Sequence, residues 1–128
     1  MTDSPVGELR LALTVEDFDK AVAFYRDTLG LPVEATWDNH GKGIVLSAGR
    51  ATIELLSTEH AAYLDQIEVG RPAPSPVRLA LQVSDSDSTA ARLTTAGGTQ
   101  LADPVATPWG DRNVRLTDPN GIQLTLFS

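Results

Sequence analysis

Hydrophobic and polar positions alternate along Leu9-Arg10-Leu11-Ala12-Leu13-Thr14-Val15, and the same pattern returns in Val77-Arg78-Leu79-Ala80-Leu81-Gln82-Val83. Arg78 repeats Arg10 at an offset of 68, Val83 repeats Val15, and Asp85 repeats Asp17. A period of two marks a half-buried strand, and an aspartate directly after it accepts from the free N–H groups of a helix's first turn. After Asp17 the apolar positions Phe18, Ala21, Val22, Tyr25 and Leu29 take the three-four spacing of one buried helical face, which Gly30 ends. Strands are predicted at 33–37, 44–48 and 51–56, with turn chemistry at 38–43.

From Ser57 the alternation breaks. Residues 59–67 fit a short helix, and Gly70-Arg71-Pro72-Ala73-Pro74-Ser75-Pro76 is a stiff linker that cannot continue a sheet. The second half repeats the order: a strand at 77–83, a helix at 85–96 stopped by Gly97-Gly98, a short strand near Gln100-Leu101, a loop over 103–110, a strand at 113–117, the turn Asp118-Pro119-Asn120-Gly121 and a last strand at 122–127. The pattern predicts an α+β fold in one domain spanning 1–128. Its parts are two βαβββ modules, about 7–57 and 77–128, joined by a linker over about 58–76.

Composition narrows the possible partners. Hydrophobic residues make up 41% and charged residues 21% of the 128, an ordinary globular balance. The net charge of -7 argues against nucleic acid or an anionic membrane as partner, since phosphate binding needs a basic surface. There is no cysteine, so disulfides, thiolate nucleophiles and Cys-based metal sites are excluded. Met1-Thr2-Asp3-Ser4-Pro5 lacks the charged and apolar regions of a leader, and a cytoplasmic location is expected.

The order of elements, Val-x-Asp entering the first helix, Phe24-Tyr25-x-x-x-Leu29-Gly30-Leu31, and Asp118-Pro119-Asn120-Gly121 before the last strand together resemble the vicinal oxygen chelate superfamily. Glyoxalase I, extradiol dioxygenases, fosfomycin resistance enzymes and bleomycin resistance proteins are members. The resemblance implies two modules whose curved mixed sheets enclose a concave cavity, usually in a homodimer. It also implies four metal-ligand positions, most often His, Glu, His and Glu, which fall here on Arg10, Glu54, Arg78 and Thr125. Only Glu54 is a metal donor, because a guanidinium offers no lone pair and Thr is a poor neutral ligand. No metal or other cofactor is therefore expected. His40, in a turn, and His60, near the linker helix, lie outside the four positions.

Strand alternation sends Arg10, Arg78, Gln82, Glu54, Gln123 and Thr125 toward the cavity. Two arginines and one carboxylate admit two readings. Glu54 is either a structural partner of Arg10 and Arg78, or the surplus positive charge recognises a carboxylate or phosphate. A carboxylate flanked by two guanidiniums would have a lowered pKa and be a weak base. The stretch Pro108-Trp109-Gly110-Asp111-Arg112 is similar to bleomycin resistance proteins, and Trp109 with Trp37 would wall a flat ligand. The expectation is a metal-independent protein that binds an anionic or polar aromatic small molecule, with no catalytic residue assigned. The alternative is a lyase, isomerase or dioxygenase-type enzyme using Glu54 and partners not identified.

Overall fold

The computed structural model describes residues 4–128; the first three residues, read above for a leader, lie outside the described residues. Strand β1 (Glu8–Val15) is followed by α1 (Phe18–Val22), which continues as a π-helical segment over Ala23–Thr28. Asp17 caps α1 by accepting from the Lys20 N–H at 3.0 Å, and Gly30 ends the run at a φ of 88°. Strands β2 (Val33–Asp38), β3 (Lys42–Ala48) and β4 (Ala51–Ser57) complete the first half. Helix α2 (Thr58–Glu68) then leads to β5 (Val77–Gln82) and α3 (Ser86–Thr95), which Asp85 caps through the Ser88 N–H at 3.1 Å. Strands β6 (Thr99–Gln100), β7 (Val105–Ala106), β8 (Arg112–Thr117) and β9 (Gln123–Phe127) follow. The stretch 103–110, read as a loop, thus contains a two-residue strand. Leu101, Ala102, Asp103 and Pro104 separate it from β6.

The nine strands among the described residues form one curved, unclosed sheet in the order β2-β3-β4-β1-β5-β9-β8-β6, with β7 also on β8. Its centre is the antiparallel pair β1–β5, from which each half runs outward with the same sense, β1 parallel to β4 and β5 parallel to β9. The sequence repeat is therefore a structural repeat about the β1–β5 seam. Among the described residues no helix is long and apolar enough to cross a membrane.

Two cores lie on one face of the sheet, each under a repeated helix. Val22, Ile44, Leu46 and Leu55 pack with Leu13, Val15 and Phe18 beneath α1, while Ala90, Val114, Leu116 and Leu126 pack with Leu81 and Leu93 beneath α3. The third cluster lies on the opposite, concave face: Ala12 and Leu56 of the sheet meet Ala61 of α2, with Trp37 and Leu64 beside them. The linker helix is thus a cover on the cavity side.

Leu126 is fully buried, so Leu126→Ala should cost about 3 kcal/mol from lost transfer energy and an unfilled cavity. Urea unfolding checks this. A loss below about 1 kcal/mol would show that the second core is loosely packed.

Candidate functional site

Strand register sets the floor of the cavity. Residues paired across neighbouring strands share a face, so Glu54, Ala12 and Arg78 form one row across β4, β1 and β5. Arg10, Ala80, Thr125 and Arg115 form the next row, across β1, β5, β9 and β8. Helix α2 adds His60, Tyr63, Leu64 and Glu68 from above, and Trp37, Trp109, Asn113 and Phe127 complete the wall. The enclosed volume is about 430 Å³. That is the size of a small-molecule site.

Six of the eight residues predicted for the site line this cavity: Arg10, Trp37, Glu54, Arg78, Trp109 and Thr125. Gln82 does not. It shares the face but lies exposed at the end of β5, opposite Glu8, where the wall has stopped. Gln123 is also outside the lining, its side chain tied up in accepting from Arg115 Nη1 at 3.0 Å and donating to the Ala73 carbonyl at 2.9 Å.

The expected triad of Arg10, Glu54 and Arg78 does not form. Ala12 stands between Glu54 and Arg78 in their row, and two strand spacings put their backbones roughly 9.6 Å apart. Arg78 instead meets Asp65 of α2. Its Nη2 donates to Oδ2 at 3.3 Å, and its Nη1 lies 3.0 Å from Oδ1 without hydrogen-bond alignment, so Nη1 and Nε have charge nearby but no acceptor among the described residues. Burial, and then the proximity of Arg115, lower the Arg78 pKa, while Asp65 opposes both.

Arg115 is 1% exposed and donates to Asp65 Oδ1 at 2.9 Å and to Glu68 Oε1 at 2.8 Å. Glu68 also accepts from the Asn113 amide at 3.1 Å. Two buried carboxylates of α2 therefore balance two buried guanidiniums of the sheet, and the surplus positive charge expected at the centre is absent. The four family positions pass over this cluster. The signal that finds it is alternation on β8, where Asn113 and Arg115 point to one face and Arg115 pairs with Thr125.

Arg10 is held sideways. Its Nε and Nη2 donate to Glu8 at 2.9 and 3.2 Å, and the guanidinium stacks 5.2 Å from the Phe127 ring centre. Burial alone would lower its pKa, but the hydrogen bond to Glu8 and the charges of Glu54, Glu8 and Asp111 raise it. Only Nη1 approaches Glu54, at 3.9 Å, which is charge proximity rather than a hydrogen bond.

Burial consequently dominates at Glu54. It is 8% exposed, and its carboxyl is pushed up from 4.5 to about 7, first by burial and further by the negative charges of Glu68 and Glu8, against the pull of Arg10 and, more weakly, Arg78. The lowered pKa expected beside two guanidiniums is overturned, because one of them is engaged elsewhere and the other is held back.

The aromatic wall is positioned by a glycine. Trp37, Gly43 and Leu56 share a row, and a Cβ on Gly43 would collide with the Trp37 ring. The ring lies over that gap and donates from Nε1 to His60 Nε2 at 2.8 Å. His60 then carries its proton on Nδ1, which faces the Asn39 and His40 carbonyls at 3.0 and 3.1 Å. His60 is a wall residue that the sequence reading left out, and its hydrogen-bonding capacity is used within the fold. His40 stacks on Tyr63 at 4.1 Å. Trp109 is 44% exposed on a turn closed by Thr107 and Asp111, which are joined by the bonds Thr107 N–H to Asp111 C=O at 2.8 Å and Asp111 N–H to Thr107 Oγ1 at 3.0 Å.

A divalent ion does not fit this donor set. Of the four family positions, two are guanidiniums with carboxylate partners and one is a threonine, which leaves Glu54 alone. Among the described residues no group of three His, Cys, Asp or Glu side chains stands together to hold an ion.

Comparison with known proteins places the chain. Residues 9–126 match the model of the glyoxalase/bleomycin resistance protein/dioxygenase superfamily, and the chain belongs to that family. A relative from Bacillus subtilis (strain 168), the uncharacterized protein YraH, is 36% identical over 85 residues, which cover 63% of this chain and 65% of that protein. Methylmalonyl-CoA epimerase from Mycobacterium tuberculosis has the same fold with a TM-score of 0.68 at 22% identity, over 99% of this chain and 91% of that one. A superfamily member from Vibrio splendidus 12B01 aligns with a TM-score of 0.65 at 14% identity, over 94% and 97%.

Two measurements test this electrostatic arrangement. Asp65→Ala would leave two buried guanidiniums short of a partner and should cost about 3–5 kcal/mol in urea unfolding. A loss under 1 kcal/mol would show that α2 is not held by this cluster. For Glu54, the folded carboxyl binds its proton more tightly than the unfolded one. Its contribution to stability is thus present below about pH 4.5 and lost as pH rises through about 7. Glu54→Gln should match the parent near pH 4.5 and exceed it at pH 8 by up to roughly 3 kcal/mol. A variant less stable than the parent at pH 8 would make Glu54 a stabilising ion-pair partner after all.

Proposed function

We propose that this protein binds a small polar aromatic molecule without a metal, in a sequestering or carrier role. The observation that carries the reading is the cavity itself. About 430 Å³ are enclosed by Trp37, Tyr63, Trp109 and Phe127, over a floor whose family ligand positions hold Arg10, Glu54, Arg78 and Thr125. Aromatic walls supply contact area for a flat ring, and the few polar groups orient it. The anionic alternative lacks its footing, since Asp65 and Glu68 balance Arg78 and Arg115.

One observation favours a second reading. A carboxyl with a pKa of about 7 that faces a cavity can give and take a proton at neutral pH, as an enzyme of the isomerase or lyase type would require. A homodimer remains part of the proposal on family grounds.

The test is a thermal-shift screen of small polar aromatic compounds on chelator-treated protein. A ligand at a hundred times its Kd should stabilise the fold by about 2.7 kcal/mol in EDTA. Trp109→Ala, at a half-exposed position, should weaken such hits about tenfold while leaving the unliganded melting temperature in place. Hits that appear only with an added divalent ion would overturn metal independence, and turnover of a hit would favour the second reading.

A further inference from the structure

Charge around the cavity decides what kind of polar group its ligand carries, given that the binding reading above holds. Three guanidiniums stand in the wall, and each is already engaged: Arg10 by Glu8, Arg78 by Asp65, and Arg115 by Asp65 and Glu68. Against these three are five carboxyl groups: Glu54, Glu68 and Asp111 in the wall, with Glu8 and Asp65 behind it. The balance is negative.

Glu54 differs from the other buried acids. Asp65 and Glu68 accept hydrogen bonds from guanidinium or amide donors, whereas Glu54 accepts none among the described residues, and its nearest cation stays 3.9 Å away. A carboxyl group on a side chain only 11% exposed, open to a cavity and unmatched, is a vacancy for a donor. An anion would meet Glu54, Glu68 and Asp111, while the Arg78 Nε and Nη1 donors that lack an acceptor are themselves shut off from solvent beside Asp65. A cation would find a carboxylate acceptor and aromatic faces in one enclosure, where both attractions are strengthened by exclusion of water. The net charge of -7 also raises the local concentration of cations at longer range.

We propose that the cavity selects a flat aromatic molecule bearing a basic nitrogen, whose cationic N–H donors dock on Glu54 while its ring lies among Trp37, Trp109 and Phe127. Asp111, beside Trp109 on the rim, adds a second negative charge on the approach. Binding of the cation draws Glu54 into its ionised form, so capture releases a proton at or below neutrality.

Benzamidine, benzamide and benzoate share one ring and one planar head while differing in charge, and their affinities for chelator-treated protein can be read by tryptophan fluorescence at pH 6 and pH 8. At pH 8 benzamidine should bind at least tenfold more tightly than benzamide, with benzoate weakest. Ionisation of Glu54 from about a tenth to about nine-tenths over that range should tighten benzamidine about tenfold from pH 6 to pH 8. Glu54→Gln should bring benzamidine within about threefold of benzamide and flatten its pH dependence. The same titration on that variant separates Glu54 from the other titratable groups around it: Arg10 on β1, His60, Tyr63 and Glu68 on α2, Arg78 on β5, Arg115 on β8 and Asp111 in the wall, with Glu8 and Asp65 behind it. Benzoate binding best, or a benzamidine preference that survives Glu54→Gln, would overturn the proposal while sparing the binding reading. Failure of all three probes at millimolar concentration would overturn the binding reading itself.

Discussion

Asp65 accepts from two buried guanidiniums at once, and that contact holds a helix against the hollow side of the sheet. Removing Arg78, Arg115, Asp65 and Glu68 from water is unfavourable for each group, and the arrangement survives because the charges balance and nearly every oxygen finds a donor. The consequence is geometric. With α2 in place the ion-paired Arg78, Arg115 and Glu68 form one side of the cavity that Glu54 also lines. Without it, Ala12 and Leu56 would face solvent and the cavity would lose one wall.

The same cluster determines the chemistry of Glu54 indirectly. By engaging Arg78 it removes one of the two cations that would otherwise stabilise a carboxylate, while Glu8 holds the other at arm's length. Glu68, brought in on α2, adds a negative charge of its own. Desolvation then outweighs attraction, and a position where the resemblance implies a metal ligand becomes a buried acid poised near neutrality.

Much of the fold was legible before any coordinates. The 68-residue repeat identifies the two halves, Asp17 and Asp85 are read as helix caps and act as such, and alternation places Arg10, Glu54, Arg78 and Thr125 on one face. Gln82 and Gln123 show where alternation stops being sufficient. Both share that face, but one lies past the end of the wall and the other is held away from the cavity by its bonds to Arg115 and the Ala73 carbonyl. His60, Asp65 and Glu68 were hidden because their helix reads as a connector, with no strong apolar stripe to say which surface it covers.

The sequence by itself determined the repeated strand-helix plan, the capped helix starts and the side of each strand, because these depend on periodicities and hydrogen bonds among near neighbours along the chain. Only the tertiary structure decided which charges meet. Arg115 lies 50 residues from Asp65 and 47 from Glu68, and no local rule links them. Nor can a pattern of residue types give the protonation of Glu54, since that follows from how far water is excluded and from the distance of each remaining charge.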